Sequence, residues 1–146
     1  MRRIRLGATG AHESGRALTV YLDTSALVKL VVIEKESRAL RTFLRNEPEP
    51  FSCAIARTEL LRAVHRGGSA AIEDARRVLR SLHLIHLGDA LLDAAGLLDP
   101  VKMRSLDATH LAAAALIAPE LTALVTYDKR MAKGAARLGF PVVSPA

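Results

Sequence analysis

At 146 residues, half of them hydrophobic, the chain is long enough to bury a real core and fits one domain. Its one cysteine, Cys53, excludes an intrachain disulfide and a cysteine zinc site, and no apolar run approaches the roughly 20 residues of a membrane span. The net charge of +6, from 21 basic and 15 acidic residues, favours a polyanionic partner, although three Phe, two Tyr and no Trp give little material for base stacking. A lone cysteine suits a reducing cytoplasm, and the basic start is not followed by the unbroken apolar run of a signal peptide.

Residues 1–18 scatter Arg2, Arg3, Arg5 and Arg16 among Gly7, Gly10, Ser14 and Gly15 without a sustained period, which reads as a flexible basic arm ahead of a folded unit at 19–146. Residues 19–23 are a run of β-formers ending in Asp23, a buried strand, and Thr24 or Ser25 can cap the helix that follows. That helix turns Ala26, Leu27, Leu30 and Val31 inward. A second helix over 35–46 places Leu40, Phe43 and Leu44 on one face and Arg38, Arg41 and Arg45 on another, and the Glu47-Pro48-Glu49-Pro50 run stops it.

Residues 51–54 form a short strand, and a third helix runs from about Ile55 to Arg66, ending at Gly67-Gly68. Ser69 opens a fourth helix with Ile72, Ala75, Leu79 and Leu82 inward. A short strand at 83–87 carries His83 and His86 on either side of Leu84-Ile85, as strand positions rather than ligands, and a helix over 89–98 closes at Asp99-Pro100. Residues 106–118 make a strongly apolar, Ala-rich helix, 123–127 a strand that delivers Asp128, 129–138 a helix stopped by Gly139, and 141–143 a final edge strand.

Strands alternating with helices through short loops predict a three-layer α/β/α domain with a mostly parallel central sheet. Such sheets place their sites at the carboxyl ends of the strands. Asp23 and Asp128 both fall there, each just after an apolar strand and just before a helix. Asp107 lies near the start of the Ala-rich helix, and Glu59 lies on the Ala56/Ala63 side of the third helix. Taken singly, each Asp is explained by helix capping, worth about 0.3–1 kcal/mol, and Glu59 by pairing with Arg62 or Arg66. Capping does not explain why two acids follow two strands whose ends a parallel sheet brings together. Several carboxylates in one crevice repel, and a hard divalent ion such as Mg²⁺ or Mn²⁺ removes that conflict. An ion so held activates water and steadies charge on a phosphoryl group.

Four stretches carry a family likeness: Tyr21–Leu30 (YLDTSALVKL), Arg57–Val64 (RTELLRAV), Ser105–Ala112 (SLDATHLA) and Val125–Met131 (VTYDKRM). Over about residues 19–146 the sequence resembles the PIN-domain ribonucleases, in particular the VapC-type toxins of toxin–antitoxin pairs. The resemblance implies a PIN-like fold in which Asp23, Glu59, Asp107 and Asp128 bind Mg²⁺ or Mn²⁺ and metal-activated water cleaves RNA. It also implies supporting roles for Thr24, Ser25 and Thr126, with helix capping and strand filling as the ordinary alternative. A small antitoxin covering the acidic pocket, and a homodimer or toxin–antitoxin hetero-oligomer in the cytoplasm, are the partners it implies.

The arm at 1–18 departs from the usual pattern, in which the first strand opens the chain. His110, one turn beyond Asp107, reads as a packing or supporting residue, and Lys129 and Arg130 as either solvated or phosphate-touching. The alternatives are a housekeeping PIN nuclease and a non-catalytic PIN scaffold that binds RNA or protein. A phosphatase built on Asp23 is disfavoured because Ser25 stands where a second Asp is wanted, and no glycine-rich loop for nucleotide binding follows the first strand.

Overall fold

A computed structural model describes residues 19–46, 49–100 and 102–146; the arm at 1–18 and the Glu47-Pro48 pair of the proposed helix stop lie outside the described residues. Five strands form one all-parallel sheet: β1 (Thr19–Leu22), β2 (Glu49–Cys53), β3 (His83–Ile85), β4 (Leu121–Val125) and β5 (Val142–Val143), in the order β3-β2-β1-β4-β5. The helices are α1 (Thr24–Val31), α2 (Ser37–Arg45), α3 (Ile55–Val64), α4 (Gly68–Arg80), α5 (Asp89–Gly96), α6 (Ser105–Leu116) and α7 (Lys129–Arg137).

The period-2 geometry of a strand sorts β1 between two cores. Val20 and Leu22 face a cluster built with Leu27 of α1, Leu40 of α2, Leu60 of α3 and Leu79 of α4. Tyr21 faces the other, with Leu91 of α5, Leu111 of α6 and Met131 of α7. Helices therefore cover both faces of the sheet, as the alternation in sequence predicted, and β1 is fully buried, as parallel strands between two helical layers are. The buried alanines 112–114 let α6 pack closely.

Several boundaries differ from those read in the sequence. β2 begins at Glu49, so Pro50 lies inside a strand; it is in register with Val20 of β1, while β3 pairs with β2 only from Phe51 onward, so Pro50 has no β3 neighbour. Glu49 is buried there, 2.7 Å from His83 Nε2. β4 ends at Val125, so Thr126 and Tyr127 form the short link to α7. After α3 a 3₁₀ turn (His65–Gly67) leads into Gly68, whose φ of 84° suits glycine. Among the described residues no helix is long and apolar enough to cross a membrane.

Strand order fixes where a site can be. The chain leaves β1 toward β2 and β3, then returns to the other side of β1 to lay down β4 and β5. The switch point therefore lies between β1 and β4, and a crevice opens beyond their carboxyl ends.

Candidate active site

Asp23 directly follows β1, at the switch point, and its backbone N–H continues the ladder to Val125 O at 3.2 Å. Its carboxylate is almost wholly buried and fully engaged. Oδ1 accepts from Ser25 Oγ at 2.6 Å and from the Ala26 amide at 3.2 Å, and Oδ2 accepts from Thr126 Oγ1 at 2.7 Å. The capping reading is thus correct for Asp23, which caps α1 itself in place of Thr24 or Ser25. Burial pushes this carboxyl above the usual carboxylate range, and the Ser25 and Thr126 hydroxyls offset that only in part.

Thr126 couples two of the acids. Its hydroxyl donates to Asp23 and accepts from the Asp128 amide at 3.1 Å. Ser25 Oγ lies 3.3 Å from it and accepts from the Tyr127 amide at 2.8 Å. Asp128 caps α7, its Oδ1 accepting from the amides of Arg130 and Met131 at 2.8 and 3.1 Å. Its other oxygen faces Arg104, whose Nη2 stands 3.7 Å away while its Nε stands 3.4 Å from Asp107 Oδ2. Asp107 is in the first turn of α6, where the helix dipole favours a carboxylate.

Glu59 enters from α3 and does not pair with Arg62 or Arg66. Its Oε1 accepts from Thr24 Oγ1 at 2.5 Å and lies 2.7 Å from His110 Nε2. The other ring nitrogen of the buried His110 is 2.7 Å from the Tyr21 hydroxyl and 3.6 Å from Cys53 Sγ. Burial opposes a charge on this ring, but Cys53 at one nitrogen and Glu59 at the other outweigh it and raise its pKa to about 10. Burial also works against an ionised Glu59, yet the bonds from His110 and Thr24 prevail and hold it below its usual value. Burial pushes the Tyr21 phenol well up, so it stays protonated.

The sequence-read residues are thus present at one end of the sheet, in three groups rather than one. Asp23 is held by Ser25 and Thr126, Glu59 by Thr24 and His110, and Asp107 and Asp128 are spanned by Arg104. Among the described residues no three or more His, Cys, Asp or Glu side chains stand close enough together to hold a metal ion. The donors suit a hard divalent ion in kind, all being carboxylates, but not in spacing. Lys129 and Arg130 are exposed beside Asp128. Sequence reasoning passed over Arg104, although it stands three residues before Asp107, a spacing at which helical side chains meet.

A three-layer domain with carboxylates at the switch point of a parallel sheet defines a class suited to phosphodiester chemistry. The family model described as "PIN domain" matches residues 20–137, and all four likeness-bearing stretches fall inside it. The chain is 45% identical over 127 residues to Ribonuclease VapC46 of Mycobacterium tuberculosis, covering 87% of this chain and 98% of that protein. Its fold is similar to that of M. tuberculosis VapC20, described as a sarcin-ricin loop cleaving toxin, with a TM-score of 0.67 at 18% identity, covering 86% of this chain and 99% of that one. It is also similar to a chain of a toxin–antitoxin complex from Klebsiella pneumoniae, with a TM-score of 0.64 at 23% identity, covering 87% and 98%. The chain belongs to the PIN-domain family, among the VapC ribonucleases.

Proposed function

We propose that the chain is an endoribonuclease that acts as the toxin of a toxin–antitoxin pair and depends on Mg²⁺ or Mn²⁺. The observation that carries this reading is that Asp23 and Asp128 follow neighbouring parallel strands, with the Thr126 hydroxyl bonded to the Asp23 carboxylate and to the Asp128 backbone amide. The ribonuclease name of a relative at 45% identity supports RNA as the substrate. The resemblance names Asp23, Glu59, Asp107 and Asp128 as the residues that would hold the ion, and as placed here they stand too far apart to do so as one group. When bound, such an ion supplies activated water and charge compensation at a phosphodiester.

The chain's own groups do the rest. Ser25, Thr126 and the Ala26 amide fix both oxygens of Asp23, so this acid needs no reorganisation. Arg104, more than half exposed, together with the exposed Lys129 and Arg130, offers cationic groups for the RNA backbone beside the acids. The exposed Leu97 and Leu116, at the ends of α5 and α6, offer apolar area for an antitoxin or a second copy. The likeness to a chain of a toxin–antitoxin complex supports such a partner. The cytoplasm is the compartment this reading requires.

The purified chain should cleave single-stranded RNA with Mg²⁺ or Mn²⁺, leaving 5′-phosphate and 3′-hydroxyl ends. It should stop when the ion is chelated and when a small partner encoded beside it is added. Cleavage at an unchanged rate under chelation would remove the metal from this account.

A further inference from the structure

The buried histidine of α6 is left over from the acid set, and its contacts are more specific than packing requires. His110 is 3% exposed, and both ring nitrogens have partners 2.7 Å away. Those partners come from different layers: Tyr21 from the middle of β1, Glu59 from α3 on the opposite face of the sheet. An ionised carboxylate can only accept, so Nε2 carries the hydrogen toward Glu59. Thr24 Oγ1 donates to the same oxygen, Oε1. Two donors on Oε1 fix the carboxylate's torsion, and Oε2 makes no hydrogen bond among the described residues.

We infer that His110 is a positioning residue: its Nε2–H, with the ring oriented by Tyr21, holds Oε1 of Glu59 so that Oε2 is presented in one orientation. The inference rests on the reading of Glu59 as an acid of the nuclease site. It assigns His110 no contact with substrate and no proton transfer. Removing a hydrogen-bond partner that orients a working carboxylate typically changes activity by about 10–100-fold.

The test uses two amide side chains of different reach. In His110→Gln the amide nitrogen can take the place of Nε2, and in His110→Asn only that of Nδ1. On a single-stranded RNA, His110→Asn should lose about tenfold or more in kcat with KM within about twofold, while His110→Gln keeps about a third or more of wild-type kcat. Equal losses in the two variants, or none in either, overturn the inference. A second readout needs no turnover. In the metal-free full-length chain, ¹⁵N NMR of the imidazoles should show a His110 Nε2–H protected from exchange, and Glu59→Ala should abolish that protection. A freely exchanging Nε2–H in the wild type overturns the inference as well. If Asp23→Asn cleaves at the wild-type rate, the nuclease reading fails, and the NMR result still decides the role of His110.

Discussion

Replacing Thr126 by Val tests the join between fold and site, because the two side chains share a shape and differ in one hydroxyl. Thr126 is fully buried, so no cavity and no new solvent contact arise. The substitution removes the donor to Asp23 Oδ2 at 2.7 Å and the acceptor for the Asp128 amide at 3.1 Å. A hydrogen bond to a charged group contributes about 1.5–3 kcal/mol, and an amide left without its acceptor costs about 1 kcal/mol or more. The extra buried methyl returns about 0.8 kcal/mol. The net loss is about 2–3 kcal/mol, equivalent to a fall in Tm of roughly 5–10 °C for a domain of this size. Urea unfolding followed by circular dichroism at pH 7 without divalent ions measures it, with Thr126→Ser as the control that keeps the hydroxyl. Asp23 is raised by burial, so below its folded pKa the carboxyl is neutral and the charge-assisted share of the bond disappears. The gap between Thr126→Val and wild type should therefore narrow as pH falls. A Thr126→Val protein within about 0.5 kcal/mol of wild type, or a Thr126→Ser protein equally destabilised, would refute the reasoning.

Arg104→Gln should bind Mn²⁺ several-fold more tightly in a titration followed by electron paramagnetic resonance, because it removes a cation that lies 3.4 Å from Asp107 and 3.7 Å from Asp128. Its stability should change by no more than about 0.5 kcal/mol, since the guanidinium is largely solvated; unchanged or weaker Mn²⁺ binding would contradict this. Lys29, bonded to both Glu34 and Glu36 at 2.9 Å, holds the Glu36 carboxyl below its usual value. A depressed carboxyl contributes stability that is present above its ordinary pKa and lost as pH falls through the folded one. Lys29→Met should therefore flatten the acid side of the Tm–pH curve, and an unaltered curve would show that this ion-pair group has no share in acid unfolding.

Periodicity and strand-then-helix order were enough to read the layers of the sheet and to put Asp23 and Asp128 at its carboxyl edge. Both facts are local in the chain, and the parallel sheet converts them into proximity. What was not legible depends on which elements become neighbours across the sheet. Glu59 offered Arg62 and Arg66 as partners at helical spacing, yet it bonds to Thr24 and His110, residues 35 and 51 positions away. His110 follows Asp107 by one turn, yet it serves a different acid. Glu49, in a Pro-rich run that read as a helix stop, is buried in β2 against His83, a pairing that only the β2–β3 register creates. Arg104 stands at helical spacing from Asp107, but its reach to Asp128 depends on how the start of α6 lies against the end of β4.

The central claim is that the buried carboxylate after β1 belongs to the reaction and not merely to the cap of α1. Asparagine can keep the cap through its carbonyl oxygen, but it cannot carry the charge. The rate of single-stranded RNA cleavage by Asp23→Asn, measured on protein shown by thermal unfolding to be folded, separates the two roles. The expected outcome is a folded protein with no detectable cleavage and no growth arrest on expression; a folded Asp23→Asn protein that cleaves RNA at the wild-type rate would leave Asp23 a cap and nothing more.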